Sequence, residues 1–261
     1  MPTKPKAAPS AKPAKPRMSL AEAMSALEQA GSEQTRKTYL RHGAGEPLFG
    51  VSFATLKTLL KKIGVDHELA LALWDSGNFD ARNLAVKIAN PAIMSASDLD
   101  RWARTSTMRG CGNYVAALAA EGPHRMALAS TWLAAPPGSP EAATGWLLVA
   151  ALAMNDEQVS EAWLRERLAE IEQTIHSAPN AQREAMNHAL IMIGCHSPEL
   201  RSLATAAAKR IGKVNVDHGD TACKTADAAS YIEKTWTHSL AKGFASPAAH
   251  ERSRESMRLR C

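Results

Sequence analysis

Apolar residues along this chain recur at intervals of three and four and almost never at every second position. Leu164, Leu168, Ile171 and Ile175 make one such stripe. Leu200, Leu203, Ala204, Ala207, Ala208 and Ile211 make another, leaving Arg201, Thr205 and Lys209 on a different face. That spacing is the period of an amphipathic helix. No run shows sustained period-two alternation bounded by hairpin turns, so the pattern predicts an all-α chain with essentially no sheet; Val214-Asn-Val216 is at most locally extended.

Start and stop signals divide the pattern into roughly a dozen helices. Ser19-Leu-Ala-Glu22 is a capping box, and Gly31 closes the helix it opens. Ser32 caps a helix ending near Gly43, Ser52 precedes Phe53 to Ile63, and Asp66 caps a helix through Trp74. Further helices are expected over about 80–89, from Ser95, over 108–120 and over 123–134. The run Pro136-Pro-Gly-Ser-Pro140 is the clearest internal break. Beyond it the spacing predicts helices at 141–153, 157–176, 181–194, 198–211 and 226–240, with Ser197-Pro198 as an N-cap followed by proline at the first helical position. Short connections between so many helices imply antiparallel pairs stacked side by side, with a concave face suited to an extended ligand.

Composition agrees with this picture. Of 261 residues, 45% are hydrophobic and only 5% aromatic, with alanine abundant, which favours closely packed helices over a β-sandwich. The longest strongly apolar stretch, Trp146 to Met154, is too short to span a bilayer. Four cysteines stand without a paired spacing, and the basic N-terminus is not followed by an apolar segment, so reduced thiols and a cytoplasmic location are expected.

The net charge of +5 belongs to the ends. Residues 1–17 carry five basic residues and no acid, in a Pro/Ala/Lys-rich tail expected to be disordered. Residues 242–261 carry five basic residues against two glutamates and are expected to form a flexible basic tail. The body, 18–241, is therefore net negative, and any affinity for polyanions beyond a salt-sensitive tail effect depends on local clusters.

The densest polar cluster is Thr205 to Thr225. Its helix ends in Lys209 and Arg210, Gly212 breaks it, and Lys213, Asp217, His218, Asp220, Cys223 and Lys224 follow. Two readings are open: a polar connector making local turns, or one wall of a functional groove. Lys209, Arg210, Lys213 and Lys224 suit phosphate oxygens. Spacing among Asp217, His218, Asp220, Cys223 and His188 matches no zinc pattern, so no metal and no cofactor are expected. His188 suits a core or edge position as well as a site. Arg82 suits an inter-helix pair as well as a phosphate contact. The six tryptophans suit packing.

Several segments resemble the DNA alkylation repair family built from HEAT-like helical repeats. They are Tyr39-Leu-Arg-His-Gly-Ala-Gly, Phe49-Gly-Val-Ser, Leu71-Ala-Leu-Trp74 with Asp80-Ala-Arg-Asn-Leu-Ala, and Val216-Asp-His-Gly-Asp220-Thr-Ala-Cys223-Lys. The similarity runs over about 35–240. It implies a HEAT-like α-solenoid of antiparallel helix pairs cradling duplex DNA, including alkylated duplexes, in a concave groove. The best-known members excise N3- and N7-alkylated purines, using a tryptophan with an aspartate four residues on and a tryptophan on a later helix. Here those positions fall on Arg109, Asn113 and His188. Asn113 supplies no negative charge, and Arg109 would repel a cationic base, so the resemblance implies DNA binding more strongly than glycosylase activity. Asp217 or Asp220 as a replacement carboxylate keeps the glycosylase alternative open, with His188 and Asn113 beside it. Arg82, Arg109, Lys209, Arg210, Lys213, His218 and Lys224 are the expected DNA contacts. A protein-binding helical scaffold is the third reading.

Overall fold

The computed structural model describes residues 17–260 except 107–108, and the side chains of 109–111 lie outside the description. Fourteen α-helices occur among the described residues. They are α1 (Leu20–Ala30), α2 (Glu33–Arg41), α3 (Phe53–Ile63), α4 (His67–Asp75), α5 (Phe79–Ile88), α6 (Ala96–Arg104) and α7 (Arg109–Glu121). Then come α8 (Arg125–Leu133), α9 (Pro140–Asn155), α10 (Glu161–Thr174), α11 (Asn180–Gly194), α12 (Pro198–Ile211), α13 (Ala228–Ala241) and α14 (Pro247–Arg252). The caps fall where the sequence puts them: Ser19 with Glu22 in a capping box, then Ser32, Ser52, Asp66, Ser95 and Ser197. Each side-chain oxygen accepts an N–H that the helix cannot satisfy internally. Between helices the described residues hold a lone bridge, Gly31 to Val51, and no sheet.

Successive helices pair, and the pairs stack in two layers. One layer runs α5, α7, α9, α11, α13, each packed on the next, while α10 and α12 pack together in the other layer. Tryptophans tie neighbouring pairs. Trp74 of α4 stacks on Trp102 of α6 with ring centres 4.2 Å apart, and the Trp74 indole donates to the Thr105 hydroxyl. The Trp132 indole donates to Asp100, and that of Trp236 to the carbonyl of Gly194. A Cβ at Gly194 would stand 2.6 Å from Ile232, so the α11–α13 approach requires glycine. The α10 stripe is buried throughout. In the α12 stripe Leu203 departs from expectation and is 40% exposed, because the packed arc of this helix is narrower than its apolar arc.

The Asp-Ala-Arg segment of α5 is structural at both ends. Asp80 is fully buried and accepts from the backbone N–H groups of Phe49, Gly50 and Val51, fixing the loop before α3. Gly50 sits there at φ +80°, with Arg36 and Ser32 backbone too close to admit a Cβ. Arg82 donates to the carbonyls of Trp74 and Thr105 and lies over the Trp74 ring. Its guanidinium is spent on helix ends, which removes it from the expected DNA contacts.

The C-terminal segment corrects a second expectation. Instead of a flexible tail, 242–260 forms α14 and then a strap across the C-terminal ends of the inner helices. The N–H of Ala248 bonds Cys195 at the end of α11, and Arg252 reaches the carbonyl of Met154 at the end of α9. Ser256 and Arg258 bond Glu121 at the end of α7, and Arg258 also donates to the carbonyls of Val86 and Lys87 at the end of α5. Helix C-termini offer unpaired carbonyls and partial negative charge, which is what an arginine-rich segment satisfies.

Candidate functional site

The opposite, N-terminal ends of α7, α9 and α11 surround a cleft of about 680 Å³. Ser139 caps α9, with Pro140 at its first position, and α11 begins after Pro179. The loop between α12 and α13 closes one side. Gly212, at φ +68°, stops α12 and turns the chain back. The side chain of Asn180 then pairs with the backbone of Asp217 through two hydrogen bonds of 2.7 Å. Arg183 donates to the carbonyls of Asn215 and Ala178, pinning the same loop to the start of α11. Arg41, His42 and Gly43, just after α2, close another side.

Of the residues singled out from sequence, Asn113, His188, Asp217 and His218 line this cleft together. His188 opens into it from α11. The protein mass around the cleft disfavours its charged form and holds its pKa below the ordinary histidine value. His218 is mostly buried: one ring nitrogen lies 2.9 Å from the Thr225 hydroxyl and the other 3.9 Å from Glu184. Asp217 accepts from the N–H of Gly219 at 2.8 Å, and Thr221 donates to the carbonyl of His218, so the loop is held by its own turns as well as by α11.

Other expected residues do not enter the cleft lining. Asp220 and Lys224 are exposed on the loop away from it. Lys209, Arg210 and Lys213 are exposed at the end of α12, in the other layer, and Arg210 is paired with Glu172 of α10. That pairing lowers the Glu172 pKa and raises that of Arg210. The expected groove wall thus divides: 217–221 borders the cleft, whereas the Lys/Arg cluster lies outside its lining, because the helical turn that buries Ile211 points Lys209 and Arg210 outward. Arg109 begins α7, and its side chain lies outside the described residues.

Two lining residues carry chemistry that sequence reasoning passed over, Arg41 and Glu184. Arg41 stands inside the Tyr39-Leu-Arg-His segment, so the signal was present as a motif without an assigned role. Glu184 lies one helical turn before His188 on α11 and shares its face. Among the described residues no group of three or more His, Cys, Asp or Glu is arranged to hold a metal ion. The cleft offers a cation at its edge, two carboxylates, an amide, imidazoles, and apolar surface from Ala143, Leu147 and Ala185.

Comparison with known proteins accords with these features. The model of the DNA alkylation repair enzyme family matches residues 23–232. An uncharacterized protein of Listeria monocytogenes is 28% identical over 214 residues, covering 80% of this chain and 93% of the relative. One of Listeria innocua matches to the same extent. A solved structure superposes with a TM-score of 0.77 at 32% identity, covering 87% of this chain and 95% of the other. It is described as a new family of proteins related to the HEAT-like repeat DNA glycosylases, with affinity for branched DNA structures.

Proposed function

Since the chain belongs to the DNA alkylation repair enzyme family, we propose that it binds DNA along the edge formed by the N-terminal ends of α7, α9 and α11, and acts by recognition rather than base excision. One observation carries this reading: three helix N-termini and Arg41 converge on a single large cleft. Helix N-termini present unpaired N–H groups and partial positive charge, which suit phosphate oxygens without reading sequence. A net-negative body makes this local arrangement, and not bulk charge, the basis of attraction.

Asn113 occupies the position of the family's aspartate and His188 that of its second tryptophan. Neither supplies the negative charge that stabilises a developing sugar cation. The solved relative's affinity for branched DNA makes three-way and four-way junctions the first probes for this chain. Fluorescence anisotropy with junction, linear duplex and single-stranded DNA over a range of salt concentrations tests the proposal. A chain lacking residues 1–17 is expected to retain junction affinity. Loss of all salt-dependent binding on removing that tail would refute it.

A second reading rests on Asp217, which borders the cleft beside Asn113 and His188. In that arrangement it is the carboxylate nearest in role to the one the family uses. Release of base from N-methylated DNA, abolished by Asp217→Asn, would establish excision; absence of release at high enzyme concentration eliminates it.

A further inference from the structure

The cleft holds more than a phosphate contact needs. Its described lining has one arginine, at the edge, against two carboxylates, Glu184 and Asp217. A phosphate group drawn into the interior would face those carboxylates, so phosphates belong at the rim, with Arg41 and the helix ends. The interior is built differently. Gly112, Ala143, Leu147 and Ala185 give low apolar walls, and Asn113 and His188 open between them. Neither Asn113 nor His188 has a hydrogen-bond partner among the described residues.

An amide and an imidazole flanked by small apolar surfaces suit the edge of a planar heterocycle: the amide donates and accepts at once, and a neutral imidazole does one at each nitrogen. The volume falls within the range of pockets that enclose small organic groups. Base edges are read in this way when a base is splayed out of a stack, and paired bases in a duplex cannot present them. Acceptors outnumber donors in this lining, because each carboxylate contributes only acceptors. Adenine and cytosine bring an exocyclic amino group to such a surface, whereas thymine brings a single ring N–H between two carbonyls.

From this geometry we infer that the cleft receives one unstacked nucleobase bearing an exocyclic amino group, supplied by an unpaired position in the DNA. The inference rests on the DNA-binding reading above and adds the identity of the group that enters the cleft. It also assigns His188 and Asn113 a task suited to uncharged groups. A base of this kind carries no charge, and no carboxylate has to be placed against a sugar cation.

The test uses three-way junctions identical except at one unpaired position at the branch point, which carries dA, dT or an abasic residue. The full chain is expected to bind the dA junction about tenfold more tightly than the abasic one, the value of one good edge contact, with dT close to abasic. His188→Ala and, separately, Asn113→Ala are expected to bring the dA affinity toward the abasic value. 2-Aminopurine at the same position is expected to change fluorescence on binding in the wild type and less in either variant. Equal affinity for dA and abasic junctions would overturn the inference while leaving DNA binding intact. Equal gains for dA and dT would overturn the amino-group specificity. If no junction binds in a salt-dependent way, it is the DNA-binding reading that fails, and this inference with it.

Discussion

Lys87 and Arg258, 171 residues apart in sequence, satisfy each other's backbone. The Lys87 ammonium donates to the carbonyl of Arg258 at 2.7 Å, and the Arg258 guanidinium donates to the carbonyl of Lys87 at 2.9 Å. Lys87 is fully buried, with its ammonium 4.3 Å from the centre of the Tyr114 ring, and it also donates to the carbonyl of Arg260. A buried ammonium is tolerated only when its protons are taken up, and here the end of the chain supplies the acceptors.

Removing residues 254–261 takes those acceptors away and leaves the ammonium in the core. The truncated chain is expected to lose about 3 kcal/mol of stability. Lys87→Met in the truncated chain is expected to recover much of that loss, although the same substitution destabilises the full chain. Urea denaturation of all four proteins measures the coupling.

Asp80 is a second buried charge, held by three backbone N–H groups. Asp80→Ala strands those donors, and the expected cost is about 3 kcal/mol, with Asp80→Asn costing less because one carbonyl oxygen remains. Guanidinium midpoints at unchanged slope would record it. The loop before α3 carries Phe49 and Gly50, so limited proteolysis is expected to cut there first in the variant.

If DNA lies along the N-terminal edge of the inner helices, Arg41 and the Lys209/Arg210/Lys213 cluster behave differently. Arg41→Ala is expected to lower the salt slope of junction binding by about one. Replacing Lys209, Arg210 and Lys213 together with alanine is expected to leave that slope unchanged, since Arg210 is already paired with Glu172 and none of the three lines the cleft. A larger effect from the triple substitution than from Arg41→Ala would relocate the binding face to α12.

Two buried acids set the alkaline limit. Burial pushes the Cys195 thiol up to about 12, and burial, with Asp80 nearby, pushes the Tyr39 phenol up to about 12. Both are neutral when protonated, so a raised pKa means the folded chain holds the proton more tightly than the unfolded one. Stability from this source is complete below the unfolded values, about 8.5 for a thiol and about 10 for a phenol, and is lost as pH rises toward the folded ones. The urea midpoint is expected to be flat to about pH 8 and to fall above it. At pH 8 a thiol reagent followed by peptide mapping is expected to modify exposed Cys223 and spare buried Cys195.

The helices were legible because their signals are local. Ser19, Ser52, Asp66 and Ser197 sit next to the N–H groups they cap, and the α10 stripe is buried at each expected position. The cleft was legible in part. Asn113, His188, Asp217 and His218 stood out by residue type and motif, and the structure brings them together. Arg41 did not stand out, because its place depends on how the segment after α2 folds against α7 and α11. Arg82 misled because a guanidinium aimed at two carbonyls has the same sequence as one aimed at solvent. The C-terminal tail misled for a related reason: charge density reads as solvated, yet arginines also bind helix C-termini. No local pattern distinguishes the two when the partner carbonyls lie over a hundred residues away.

The strap across the C-terminal ends of α5, α7, α9 and α11 also has a mechanical meaning. A stack of helix pairs joined only to their neighbours bends like a spring, and its open edge can fan to wrap whatever it grips. Here the last residues run along one edge like a bowstring, bonded to α11, α9, α7 and α5 in turn. An array strung in this way holds its curvature before anything binds. The opposite edge, where the cleft lies, is then a rigid gauge: a partner already bent or branched to its shape binds at no cost in bending, and a straight one must be deformed to match.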